Sequence, residues 1–165
     1  MIEFDMRKND CPLCGATMDV PVDMFGVMAE MPKLISRSFR EPRSHEGLGW
    51  TPHEVASHLA DAEVVLGWRI RQVLSEDEPM LQPFDQDVWA ANLFYGKREL
   101  ATSLSTLAAN RQSNMELLRF AGDAGLNRKY NHPEHGGTRR LRVLIEHISD
   151  HDILHLRQIR GESAN

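Results

Sequence analysis

Three histidines recur at every fourth residue in the stretch EHISDHDILHLRQI, residues 146–159: His147, His151 and His155. On a helix, a spacing of i, i+4 sets two imidazoles on one face about 6 Å apart at Cβ, close enough to share a cation. On a wheel of about 100° per residue, His151 and His155 fall inside the apolar arc of Leu141, Leu144, Ile148 and Ile159, and His147 lies about 60° outside it. A third imidazole is available upstream, His58 in VASHLADAE, on the flank of its own apolar stripe. A lone pair of histidines is a weak signal, because core histidines are often only hydrogen-bonded. Three neutral imidazoles would leave a divalent ion two or three open positions, the arrangement of a catalytic or substrate-binding site rather than a sealed structural one. With no protein carboxylate to balance it, the ion would favour an anionic ligand such as hydroxide, carboxylate or thiolate.

These side chains must be carried by helices. Thr51 reads as an N-cap, with Pro52 at the first helical position and Glu54 closing a capping box. The helix then runs to about Ser75, with Val55, Leu59, Ala62, Leu66, Ile70 and Val73 at helical spacing. A long helix is expected over about 97–121, on Leu100, Leu104, Leu107, Leu117 and Leu118. A last helix is capped by Thr138 and runs to about Arg160, stopping at Gly161. Ahead of these, VDMFGVMAEMPKLISRSF carries a helical pattern that Pro32 must kink or restart. No segment alternates as a strand does. The predicted fold is all-α, a four-helix bundle.

The second and third of these helices are separated by roughly 20 residues, with a short helix expected around 86–92. Antiparallel neighbours need only about 2–8 residues, so this length suits a crossover along the bundle. The order is then up-down-down-up, which brings the level of His58 on the second helix to that of His151 and His155 on the last.

Composition bounds the function. At 165 residues the chain suits one domain of about 21–165 behind a short Cys-containing arm, 1–20. A net charge of −5 argues against a nucleic-acid binder that relies on phosphate attraction. The basic TRRLR at 138–142 reads as a solvated helix start. No apolar run reaches the roughly 20 residues a membrane span needs. The charged start, MIEFDMRKND, lacks the apolar core of a signal peptide, and two cysteines are too few for a disulfide framework, so a cytoplasmic protein is expected. CPLCG, with Cys11 and Cys14, is half of a zinc ribbon whose second half is missing.

The motifs WTPHEVASHLADAE, HPEHGGT and HISDHDILHLRQI together resemble the DinB-like (damage-inducible) superfamily, which includes the YfiT-like metal-dependent hydrolases. The likeness covers about residues 22–160. It implies an up-down-down-up bundle with a three-histidine site for one divalent metal, commonly nickel or zinc. The ligands would be His58 in SHLAD, His151 in DHD and His155 in LHLRQ; His147 matches a position that is often His without being the ligand. Some relatives are thiol-dependent transferases or isomerases that use a low-molecular-weight thiol, and the resemblance implies a homodimer. The implied function is a metal-dependent enzyme on a small-molecule substrate, either a hydrolase or a thiol-dependent S-transferase or isomerase. The rival is a noncatalytic metal-binding or stress-related bundle.

Around that site, Asp61 could orient an imidazole or act as a base, and Gln158 could hydrogen-bond a ligand. Arg111 matches a recurrent family arginine and would either hold a substrate anion or form a buried ion pair. Asp150 and Asp152 are expected at the surface as arginine partners. His53, His132 and His135 are expected at the surface, and Trp50, Trp68 and Trp89 as core or interface anchors. A methionine-rich face of the first helix could supply a dimer interface.

Overall fold

A computed structural model describes residues 4–10, 17–40, 49–133 and 136–162. Its helices are α1 (Met24–Ser38), α2 (Pro52–Ser75), the short α3 (Gln86–Asn92), α4 (Leu100–Leu126) and α5 (Leu141–Ile159). Helices α1, α2, α4 and α5 make the bundle, and α3 lies in the long connection between α2 and α4. One half of the core gathers Met28, Ile70, Leu118, Leu141 and Ile145. The other gathers Met31, Leu59, Leu107, Ile153 and Ile159.

The residue pairs fix how the helices run. Ser57 meets Ser103, Glu63 meets Arg111 and Arg71 meets Ser113, so α2 and α4 advance in the same sense. The first turns of α2 share a core cluster with Ile153 and Ile159, and its last turns share one with Leu141 and Ile145, so α5 runs the opposite way. This is what sets His58, two turns into α2, level with the C-terminal half of α5.

Helix α2 starts as its sequence dictates. Thr51 Oγ1 accepts from the Glu54 amide at 3.3 Å, and Glu54 Oε2 accepts from the Thr51 amide at 2.8 Å. Helix α1, by contrast, runs through Pro32 without restarting. Proline has no N–H for the carbonyl four residues back, which is that of Met28. That carbonyl instead accepts from Arg111 Nη1 of α4 at 3.0 Å. A defect within one helix is thus repaired by another. The methionines of α1 point inward, with Met24, Met28 and Met31 all buried in the bundle, so they do not form the exposed interface face expected of them.

Helix α4 continues past the expected stop but breaks at Gly122, whose φ of 55° and ψ of −157° only glycine adopts readily. Among the described residues are two short antiparallel strand pairs that the periodicity does not disclose. Strands β1 (Met6–Asp10) and β2 (Thr17–Pro21) pair, and Arg7 of β1 reaches Glu146 of α5 at 2.6 Å. Strands β3 (Lys129–Asn131) and β4 (Thr138–Arg140) pair just ahead of α5. Thr138 therefore does not cap α5: it sits opposite Asn131, its hydroxyl 3.0 Å from the Asn131 side-chain oxygen, and the helix begins at Leu141. The first arginines of TRRLR are accordingly strand residues. Cys11 and Cys14 lie outside the described residues, as does His135.

Candidate metal centre

Helices α2 and α5 bring three imidazoles to one point. The ring of His58 lies 5.1 Å from that of His151 and 4.9 Å from that of His155, and the last two are 4.4 Å apart. One ring nitrogen from each lies within 4.8 Å of the others. His58 Nε2 and His151 Nε2 are 2.9 Å apart. Two nitrogens bound to one tetrahedral ion at about 2.05 Å would sit about 3.3 Å apart, so this spacing suits a shared cation.

The chemistry of the donors agrees. His58 is buried, and burial, aided by the nearby charge of His155, pushes its pKa down to about 3. Burial likewise holds His151 well below its ordinary value, with His155 and His58 adding to it. Burial also lowers His155, against the opposing effects of Gln158 and Asp152. All three are neutral at pH 7, the form that binds a metal. His155 Nδ1 lies 2.8 Å from Gln158 Oε1, an acceptor, so Nδ1 carries the proton and Nε2 presents its lone pair to the cluster. Gln158 is held in turn by the Trp50 carbonyl at 3.4 Å, and the Trp50 ring packs 5.0 Å from His58. His58 Nδ1 is buried without a hydrogen-bond partner among the described residues, so its hydrogen bonding is incomplete in the protein alone. The residues fit a divalent ion.

These shifts predict an acid response. In the unfolded chain His58 titrates near 6.5, and in the folded chain near 3, so below pH 6.5 the unfolded chain binds more protons. The associated stability is complete above pH 6.5 and drains away as the pH falls towards 3. In the metal-free protein, His58 alone is expected to cost about 3 kcal/mol by pH 4, and His151 and His155 act in the same direction. Thermal melts of EDTA-treated protein should therefore weaken from about pH 6.5 downward. A decline that began only below about pH 4.5, where carboxylates protonate, would contradict buried neutral histidines.

Other anticipated residues fall differently. His147 is half-buried and lines a cavity of about 200 Å³ whose wall also includes His58 and His151. Among the described residues Asp61 bonds no imidazole; its carboxylate takes Arg98 at 2.8 Å. His53 is turned to the Arg98 carbonyl. His132, expected at the surface, is buried and lines the same cavity as His147. Trp68 is 62% exposed, and Trp89 packs on Phe84 with ring centroids 4.7 Å apart.

Arg111 takes the buried ion-pair arrangement. Its side chain is 3% exposed, and all five of its N–H groups have acceptors. Nε donates to Glu63 at 2.9 Å, and Nη2 reaches Glu63 at 2.7 Å and Asp152 at 3.2 Å. Nη1 serves Asp152 at 2.7 Å and the Met28 carbonyl at 3.0 Å. No donor is left for a substrate anion. Asp152 is thus an arginine partner, as expected, but buried rather than at the surface. Glu63, its carboxylate also bonded by Asn114 at 2.8 Å, is a member of the network not anticipated from the sequence. The available signal was its position four residues after Leu59, a charge on the apolar stripe of α2.

Fold and site together define a class: a four-helix bundle built around a candidate metal centre of three histidines. The chain belongs to the DinB superfamily, whose family model matches residues 37–159. Among similar proteins is one from Oceanobacillus iheyensis named "Putative metal-dependent hydrolase", 31% identical over 93 residues, or 56% of this chain and 54% of that protein. A relative of the same name from Bacillus mycoides is 30% identical over 91 residues, 55% of this chain and 52% of its own length. The matched segment thus spans about half the length of each relative. The solved structure of YfiT from Bacillus subtilis, titled a probable metal-dependent hydrolase with an unusual four-helix bundle topology, matches with a TM-score of 0.76 at 22% identity. That match covers 82% of this chain and 81% of YfiT, and establishes the shared fold.

Proposed function

We propose that this chain is a metal-dependent hydrolase in which His58, His151 and His155 hold one divalent ion, nickel or zinc. The single observation that carries the reading is the convergence of three neutral imidazoles from two helices, two of which, His58 and His151, also line a cavity. When bound, such an ion supplies Lewis acidity and brings the pKa of a coordinated water towards about 7. The protein's own contribution is to keep the ligands deprotonated by burial and to fix the His155 tautomer through Gln158. The relatives' names point the same way.

The test is hydrolysis of a panel of small esters and amides by the full chain, stripped with EDTA and then reloaded with nickel or zinc. Turnover should track metal occupancy and fall at least about 100-fold in His155→Ala, the scale at which even supporting groups of metal sites matter. Turnover that appears only on adding a low-molecular-weight thiol would instead identify thiol transfer. Full metal occupancy with no turnover under either condition would leave a noncatalytic metal-binding bundle.

A further inference from the structure

A trough runs between α1 and α4, and none of the three clustered histidines lines it. Its larger part, of about 780 Å³, is walled by α1 from Phe25 to Lys33 and by α4 from Ala108 to Leu126. Its smaller part, of about 370 Å³, continues along α1 to Arg37 and Arg40 and back along α4 to Leu104. Pro32, Lys33 and Ala108 wall both parts, so the trough is continuous. Ala29 and Ala108 are exposed on its two sides, where longer side chains would fill the space. Phe25, Pro32, Met115 and Leu118 give it an apolar floor. Arg111 also reaches the wall, but its charge is already met by Glu63 and Asp152.

The trough is cationic at one end. Lys33, Arg37 and Arg40 line the smaller part, with no aspartate or glutamate among the described residues there. Glu30 stands beside them: it accepts from Lys33 at 2.8 Å, and that bond, with the charges of Lys33 and Arg37, holds its carboxyl below the ordinary value. One anion against three cations leaves this end positive. Arg37 and Arg40 are exposed, and among the described residues no carboxylate bonds either guanidinium. At the far end the charges are mixed: Glu116 and Asp123 stand with Arg119, and Asp123 takes Arg142 at 2.7 Å. An anionic head therefore has one end to occupy, and an apolar tail has the floor. From Phe25 to Arg37 the helix rises about 18 Å, the length of an extended alkyl chain of roughly a dozen carbons.

We infer that this trough binds a free single-chain fatty acid of medium length, its tail on the apolar floor and its carboxylate at Arg37 and Arg40. Charge selects the head, because a guanidinium takes a carboxylate through two parallel N–H bonds. Shape selects the tail. A volume of about 780 Å³ falls in the range of about 300–1,000 Å³ usual for small-molecule sites, and a groove one interhelical space wide admits one chain rather than the face of a bilayer. The site is separate from the three-histidine centre, and its occupancy does not depend on a metal.

Isothermal titration calorimetry of the full chain with decanoate, below the concentration at which it forms micelles, provides the test. Decanoate should bind at about one per chain and at least about 10-fold more tightly than decanol or decyltrimethylammonium. Dodecanoate should bind at least about threefold more tightly again, because two further methylenes leave water. Arg37→Gln combined with Arg40→Gln should bring decanoate and decanol within about twofold of each other. Ala108→Trp should abolish binding by filling the trough. His151→Ala and EDTA-stripped protein should bind decanoate as the parent does. Equal affinity of the parent for decanoate and decanol overturns the inference. Binding lost with His151→Ala also overturns it, by placing the chain at the histidines. Binding confined to phosphatidylglycerol vesicles would make this face a membrane surface, and a dimer that takes up no decanoate would assign it to a second copy; either result overturns the inference. If Ala108→Trp fails to fold, the exposed arginine pair still decides.

Discussion

Replacing His151 with alanine is expected to strip the purified protein of its metal. The parent chain should carry about one first-row divalent ion, and the variant almost none, at the same concentration of free metal. The reason is geometric. His151 supplies the nitrogen 2.9 Å from that of His58, and its ring lies 4.4 Å from that of His155, so its loss leaves two donors and no enclosing face. Loss of a ligand should exceed the roughly 10–100-fold that loss of a supporting hydrogen bond costs. Gln158→Leu is the calibrating variant: it removes the acceptor that fixes the His155 tautomer, and should weaken metal binding by about 10–100-fold without abolishing it. Elemental analysis after dialysis, followed by competition with a chromophoric chelator, measures both. Undiminished occupancy in His151→Ala would remove the metal centre from consideration.

Breaking the Arg111 network should produce the largest loss of stability. Arg111→Met leaves Glu63 and Asp152 as buried carboxylates with no cation between them and leaves the Met28 carbonyl, freed by Pro32, without its donor. Removing one member of a buried ion network typically costs about 3–5 kcal/mol. In a domain of this size that corresponds to a fall in Tm of about 6–20 °C. The loss should be larger at pH 7 than at pH 5, because protonation relieves stranded carboxylates. Adding Glu63→Gln and Asp152→Asn to Arg111→Met should recover much of the difference, since it is the uncompensated charge that is expensive rather than the missing pair. Calorimetry of the single and triple variants decides the matter. A single variant within 1 kcal/mol of the parent would mean that the network is not what ties α1, α2, α4 and α5 together.

The two predictions fall on residues that were unequally legible. The ligand histidines could be read because helical periodicity is local: a spacing of four fixes which side chains share a face, whatever the helix packs against. The start of α2 could be read for the same reason, since Thr51, Pro52 and Glu54 complete their interactions within one turn. Arg111 could not be assigned. An arginine on an apolar face is compatible with either a substrate anion or a buried pair, and only the arrival of Glu63 from α2 and Asp152 from α5 distinguishes them. Thr138 is ambiguous in the sequence because a capping motif and a short strand place the same residue types before a helix. Its pairing with Asn131 across the intervening loop decides between them.

What this sequence determined by itself was the set of helices, which of their faces are apolar, and that three imidazoles lie on or beside those faces. Each follows from interactions between residues a few positions apart. The length of the connection before α4 already points to a shared level for those imidazoles; only the tertiary structure decided that the three rings meet at one point, that the Met28 carbonyl left open by Pro32 is closed by Arg111, and that Arg69 shares a cavity with His58 and His151. These depend on contacts between residues tens of positions apart, whose register is set by how whole helices pack and leaves no trace in local spacing.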